Sequence, residues 1–159
     1  MVRYRLVAAV AALAVGATGL YAQNLDAIKQ RREAMKTIAT AGIDPFKMMK
    51  GEAPFELSKV QAGLKAYQDE APKLKNLFPE DARTGGDTDA APKIWQARAE
   101  FESAIDTFIS TAKTAANAIK DEATFKEEYP KVTRSCGGCH KEEDGFAPRL
   151  RDSFKKLKQ

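Results

Sequence analysis

Cysteine and histidine are scarce in this chain of 159 residues, which contains two cysteines and one histidine. A scaffold held by disulfides needs several cysteine pairs, and here Cys136 could pair only with Cys139. A structural zinc site takes about four ligands, and the segment that holds these residues offers three candidates. The scarcity therefore excludes a disulfide framework and argues against structural zinc.

The chain also lacks a large excess of charge of one sign. Its formal net charge is +4 at pH 7. Removing residues 1–22 would take away two basic residues and no acidic ones, which leaves a net charge of +2. Proteins that bind nucleic acid by electrostatic attraction are usually far more basic. We therefore expect no nucleic-acid partner.

Only one long apolar run is present, from Leu6 to Leu20, and it follows Arg3 and Arg5. It is shorter than the roughly 20 residues that span a bilayer. Basic residues, an apolar stretch and the small residue Ala22 form the pattern of a secretory signal peptide. We predict a signal peptide over residues 1–22, a mature chain that starts at Gln23, and a periplasmic location without a transmembrane anchor. The alternative is a retained membrane anchor.

Alternation of polar and apolar residues, the pattern of a strand, is absent over any useful length. Apolar residues recur instead at three- and four-residue steps in four segments, which begin near Leu25, after Pro54, at Pro92 and near Asp121. The first segment ends at Gly42, and a polar loop over residues 79–89 precedes the third. This pattern predicts an all-α antiparallel four-helix bundle over residues 23–140. A charged C-terminal extension follows over residues 141–159.

The two cysteines and the histidine lie together in a Cys-x-x-Cys-His motif formed by Cys136, Cys139 and His140. Covalent haem attachment needs two thiols that reach the two vinyl groups and an imidazole that then lies under the iron. A thiol redox motif would instead accompany a βαβ pattern, which this sequence lacks. The motif therefore predicts one haem c, attached through two thioether bonds, with His140 as a ligand of the iron.

Three other segments accompany the motif in one known family. They are residues 31–35 (Arg-Arg-Glu-Ala-Met), 77–79 (Leu-Phe-Pro) and 91–95 (Ala-Pro-Lys-Ile-Trp). With the haem motif near the C-terminus, the chain resembles the cytochrome c' family, the class II c-type cytochromes, whose fold is a four-helix bundle. The resemblance covers about residues 25–140. It ends after His140, where the family's usual aromatic and basic residues are displaced by an insertion.

The resemblance implies two alternative functions that differ at the second face of the iron. In one branch of the family the haem is five-coordinate and binds nitric oxide or carbon monoxide. In the other branch a methionine of the first helix completes a six-coordinate haem used for electron transfer. This position corresponds to Met35, and a thioether is a good haem ligand that raises the reduction potential. Met48 and Met49 are the fallback candidates.

The same resemblance suggests further residues of the haem pocket. Arg31, or alternatively Arg32, is expected to pair with a haem propionate, because a guanidinium matches carboxylate geometry. Trp95 and Phe101 are expected to pack near the macrocycle, although both could equally be ordinary core residues.

We therefore expect a periplasmic mono-haem electron carrier whose iron is ligated by His140 and Met35, with the gas-binding protein as the alternative. The sequence shows no arrangement of acid, base and nucleophile typical of an enzyme. The expected partners are redox proteins, whose identity the sequence leaves open. The resemblance also makes a homodimer through the first two predicted helices plausible.

Overall fold

The computed structural model describes residues 17–141 and 145–148, with side chains described from residue 25 onward. These residues form six α-helices, one 3₁₀ turn and no strand. The helices are α1 Ala17–Ala41, α2 Ile43–Met49, α3 Leu57–Leu74, α4 Lys93–Gln96, α5 Arg98–Ala118 and α6 Glu122–Cys136, and the 3₁₀ turn spans Glu80–Ala82.

Four of these helices, α1, α3, α5 and α6, form the bundle that the apolar periodicity predicts. Helix α1 packs on α3, α3 on α5, and α5 on α6, so that helices that follow one another along the chain are neighbours. Their apolar faces meet in one core, as expected for amphipathic helices. The fully buried side chains of this core include Val60, Leu64, Ile94, Ile119, Phe125, Tyr129 and Val132.

Helix α6, which carries the haem motif, begins at a capping box. The Asp121 carboxylate accepts a hydrogen bond of 2.8 Å from the Thr124 backbone N–H, and the Thr124 hydroxyl oxygen accepts one of 3.1 Å from the Asp121 N–H. Two backbone donors that would lack partners in the first turn are thus satisfied. The predicted start of this helix is confirmed, and Pro130 lies inside it without ending it.

The structure differs from the predicted helices at three places. The connection after α1 contains a separate short helix, α2, which starts directly after Gly42. The apolar steps of the second segment continue to Phe78, which predicts a helix of that length. Helix α3 instead ends at Leu74, two residues beyond Pro72. The third predicted helix is divided at Ala97, whose φ of −126° and ψ of 52° are not helical.

On either side of the break at Ala97, side chains of α4 and α5 donate hydrogen bonds to the connection that follows α3. Arg98 donates to the carbonyl oxygen of Phe78 at 2.9 Å and also to that of Lys75. The Trp95 indole N–H donates to Phe78 and to Pro79, each at 3.1 Å. These bonds fasten α4 and α5 to the backbone of the connection that follows α3.

Two expectations about α1 need correction. The three- and four-residue steps of the first segment predict a buried face that contains Leu25, but Leu25 is one of the large exposed apolar residues. The same steps put Arg32 on this face, whereas Arg31 is the buried arginine and Arg32 is exposed. One residue corresponds to about 100° of rotation around a helix, which is enough to move a side chain from the core to the surface.

No helix among residues 17–141 and 145–148 is both long enough and apolar enough to cross a membrane. The predicted signal peptide lies mostly outside the described residues, although α1 begins within it at Ala17. In the C-terminal extension, the spacing of four apolar residues predicts one short helix face: Phe146, Leu150, Phe154 and Leu157. Only Phe146 of this set lies among the described residues.

Candidate haem site

The Cys-x-x-Cys-His motif starts at the last residue of α6 and continues as one further helical turn. The backbone N–H groups of Gly137 and Gly138 each donate at 3.0 Å to carbonyl groups three residues earlier. The N–H groups of Cys139 and His140 both donate to the carbonyl oxygen of Cys136, at 3.2 and 3.1 Å. This turn holds the two thiols and the imidazole on one short, hydrogen-bonded segment.

The thiols of Cys136 and Cys139 are free, half-buried and packed against the hydrophobic core. Burial raises the pKa of each thiol to about 11, so both are protonated at neutral pH. The thiolate is the form of cysteine that binds metals and exchanges disulfides. Protonated thiols exchange disulfides slowly, and their position against the apolar core suits cysteines that become thioethers on an apolar macrocycle.

The imidazole of His140 is half-buried, and its Nδ1 atom lies 2.6 Å from the carbonyl oxygen of Pro148. A carbonyl can only accept, so Nδ1 must carry the proton and donate this hydrogen bond. Burial lowers the pKa of His140, which favours the neutral ring. The Nε2 lone pair of this tautomer is available to a metal, so the residues present fit a haem iron.

The hydrogen bond to Pro148 was not anticipated from the sequence. The partner is a backbone carbonyl eight residues away, and a carbonyl group is common to every residue. No side-chain type or spacing therefore marks it, and only the path of the chain brings it to the histidine.

Met35 lies on α1, half-buried, and its side chain packs against the same core cluster as Cys136 and Cys139. Met48 is buried and Met49 is half-buried, and both belong to α2. Met35 thus lies on a long helix of the bundle, whereas Met48 and Met49 lie on the short helix that follows it.

Arg31 is almost completely buried, with 4% of its surface exposed. Its guanidinium donates to the carbonyl oxygens of Leu77 at 3.3 Å and Ala82 at 3.1 Å, and to the Thr88 hydroxyl at 2.5 Å. It also lies over the ring of Phe78, 4.7 Å from the centroid. These contacts tie α1 to the connection between α3 and α4. Pairing of Arg31 with a propionate stays a prediction.

Trp95 and Phe101 lie in one aromatic cluster around Phe78. The ring of Phe78 is 5.9 Å from that of Trp95 and 4.9 Å from that of Phe101, both edge to face. Phe101 is buried and Trp95 is half-buried. Their packing near the macrocycle is not tested by these contacts, and it also stays a prediction.

Residues 26–142 match the family described as Cytochrome C'. The chain belongs to the cytochrome c' family. Cytochrome c' from Rhodopseudomonas palustris is 39% identical over 134 residues, which cover 84% of this chain and 92% of that protein. A solved structure of cytochrome c' from the same organism has a TM-score of 0.73 at 38% identity and covers 79% of this chain and 98% of its own.

Two other members of the family are also similar to this one. Cytochrome c-556 from Rhodopseudomonas palustris is 31% identical over 140 residues, covering 86% of this chain and 93% of that protein. A variant of cytochrome c' from Alcaligenes xylosoxidans, solved in its ferrous form with bound NO, is 25% identical with a TM-score of 0.63. That match covers 74% of this chain and 92% of its own. The predicted family, the four-helix-bundle fold and the covalently attached haem c are thereby confirmed.

Proposed function

We propose that this chain is a periplasmic cytochrome c' whose haem iron binds nitric oxide or carbon monoxide opposite His140. The proposal rests on a comparison of this chain with two proteins of one organism. The chain is 39% identical to the cytochrome c' of Rhodopseudomonas palustris and 31% identical to its cytochrome c-556. The nitric oxide bound by the Alcaligenes xylosoxidans relative supports the choice of ligand class.

Each residue of the motif has a separate task in this proposal. Cys136 and Cys139 attach the macrocycle at the end of α6, and His140 supplies Nε2 to the iron. Haem supplies the iron that changes oxidation state and takes up a diatomic ligand, while the protein sets its orientation and surroundings. Arg31 for a propionate and Trp95 beside the macrocycle complete the proposed pocket.

The second candidate function is electron transfer with Met35 as the sixth ligand. The observation that favours it is the thioether on α1, whose side chain packs on the same core as the motif cysteines. A bound methionine would close the face that a gas needs. The two functions thus share every proposed residue and differ only in the role of Met35.

Absorption spectra of the holoprotein test the proposal, recorded oxidised and reduced, with and without carbon monoxide. We expect a high-spin spectrum that shifts on addition of carbon monoxide. A variant with Met35→Leu should behave in the same way, since both side chains then only pack. Met49→Leu is the matched control, because Met49 is also half-buried and packs against the core.

The opposite result would establish the electron carrier. It would consist of a low-spin spectrum with a sulfur-to-iron charge-transfer band and no response to carbon monoxide. In that case Met35→Leu should abolish the band and open the iron to carbon monoxide, and Met49→Leu should change neither. Loss of the band in Met49→Leu alone would assign the ligand to α2 instead.

A further inference from the structure

Residues 145–148 pass beside the haem motif and His140. We name this segment the strap. Gly145 starts it in close contact with the motif, since a Cβ atom there would lie 2.9 Å from the Lys141 backbone nitrogen and 3.1 Å from its carbonyl oxygen. Any larger residue would push the chain away, so glycine permits this approach.

Backbone hydrogen bonds fasten the strap on both sides. The N–H groups of Phe146 and Ala147 donate to the carbonyl oxygen of Cys139, at 3.0 and 3.2 Å. The carbonyl oxygen of Phe146 accepts a bond of 3.0 Å from the Ala91 N–H. The strap is therefore bonded to the residue that precedes His140 and to the segment that leads into α4.

The side chain of Phe146 anchors the strap in the core. It is 5% exposed and its ring stands edge to face with that of Phe101, with 5.3 Å between the centroids. The ammonium group of Lys93 lies 5.6 Å from the centroid of the Phe146 ring. Burial of this ring removes a large apolar surface from water, which stabilises the position of so short a segment.

We propose that the strap is a positioning element for the axial histidine, acting through the 2.6 Å hydrogen bond from Nδ1 of His140 to the carbonyl oxygen of Pro148. This inference rests on ligation of the iron by His140. The bond fixes the ring tautomer and its rotation about the bond to the iron, and it makes Nε2 a more basic donor. A more basic donor stabilises ferric iron and lowers the reduction potential.

The test uses the holoprotein with 15N-labelled histidine. NMR measures the exchange of the Nδ1 proton of His140 with solvent, and a redox titration measures the midpoint potential. Phe146→Ala removes the anchor and releases the carbonyl, whereas Phe146→Leu keeps an apolar anchor. Phe125→Ala is the matched control, because it removes an equally buried ring 11 residues before Cys136 on α6.

In Phe146→Ala we expect proton exchange about tenfold faster or more, the equivalent of one lost hydrogen bond, together with a higher midpoint potential. Phe146→Leu should restore both values towards the wild type, and Phe125→Ala should change neither. Unchanged exchange and potential in Phe146→Ala, or equal shifts in Phe125→Ala, would overturn the proposal.

The wild-type protein gives an independent test if Phe146→Ala does not fold. The proton should exchange slowly, and exchange as fast as that of a solvent-exposed imidazole would refute the strap. A histidine bound to paramagnetic iron shows strongly shifted ring resonances. Their absence would refute ligation by His140 itself, which separates failure of the proposed function from failure of the strap.

Discussion

At the scale of single residues, Arg31 is a buried cation whose partners among the described residues are uncharged. It has two carbonyl oxygens, one hydroxyl and one aromatic face. Burial lowers the pKa of Arg31, yet a guanidinium keeps its proton at any ordinary pH. Removing this charge from water costs free energy, which hydrogen bonds to the protein must offset. The planar guanidinium can donate such bonds in several directions at once.

Replacing Arg31 by lysine should therefore destabilise the protein. An ammonium cannot reach three separated acceptors in one plane, so one or two buried carbonyl groups lose their donor, at about 1–3 kcal/mol. Arg32→Lys is the matched control, because Arg32 is an exposed arginine that pairs with exposed Asp87, and it should change stability by less than about 0.5 kcal/mol. Chemical denaturation measures both. Equal effects at the two positions would show that Arg31 has no special role.

Tyr67 and Tyr129 form a second buried polar feature, with 3.0 Å between their hydroxyl oxygens. Burial raises the pKa of Tyr67 to about 12 and raises that of Tyr129 further. The folded protein thus holds these protons more tightly than the unfolded chain, in which a tyrosine loses its proton near pH 10. Stability is complete below about pH 10 and falls as the pH rises through the folded pKa.

We expect the free energy of unfolding to decrease between about pH 10 and 12, by up to about 3 kcal/mol for Tyr67 alone. Denaturation curves at pH values below and above about 10 measure this decrease. Tyr67→Phe should make it shallower, and the double change to phenylalanine at both positions should reduce it most. A decrease of the same size in the double variant would assign it to other groups.

At the scale of elements, α1 and α3 approach closely where Gly63 faces the end of α1. A Cβ atom at Gly63 would lie 2.7 Å from the carbonyl oxygen of Ala41. That carbonyl is backbone, so it cannot move aside as a flexible side chain would. Glycine at this position permits the close packing of the first two long helices.

Gly63→Ala should therefore destabilise the protein by roughly 1–3 kcal/mol through overpacking, although alanine is the better helix former by about 1 kcal/mol. The reciprocal change at the exposed neighbour, Ala62→Gly, should cost only about 1 kcal/mol through helix propensity. Denaturation of both variants gives the comparison. If Gly63→Ala instead stabilised the protein, α1 and α3 could move apart at this contact with little loss of free energy.

The periodicity of apolar residues predicted the four long helices because each buries one face over several turns. The steps of the second segment predict a buried seam on α3, which is confirmed by the burial of Val60, Leu64, Tyr67, Ala71 and Leu74. Helix α2 was not predicted, since it has seven residues, too few to show a period. The apolar steps put Arg32 rather than Arg31 on the buried face of α1, which is wrong, because neighbouring residues lie about 100° apart around a helix. Element boundaries and helix phase thus depend on tertiary contacts.

The candidate site likewise has a part that the sequence predicts and a part that it does not. Its side-chain part, Cys136, Cys139 and His140, follows from the motif because covalent attachment needs those residue types at that spacing. Its backbone part, the carbonyl of Pro148, has no sequence signature. The insertion after His140 was recognised as a departure from the family, but its contact with the histidine depends on how Phe146 is buried.

At the scale of the whole molecule, the side chains described on the first two helices include three large exposed apolar residues: Leu25 on α1, and Ile43 and Phe46 on α2. Phe46 is half exposed, at 50%, and is partly covered by the ammonium group of Lys50, which lies 4.7 Å from the centroid of its ring. The homodimer expected through the first two predicted helices stays a prediction.

Export and haem attachment together predict the mass of the exported protein. When residues 1–159 are expressed, the protein purified from the periplasm should have the mass of residues 23–159 plus one haem, because we expect the signal peptide to be cleaved after Ala22 and because two thioether bonds survive denaturation. Changing both Cys136 and Cys139 to alanine should leave no haem attached. A membrane-bound protein with the mass of residues 1–159 plus haem would instead identify the leader as an anchor. The haem would then be tethered at the membrane surface, where its partners would have to lie within reach of the bilayer.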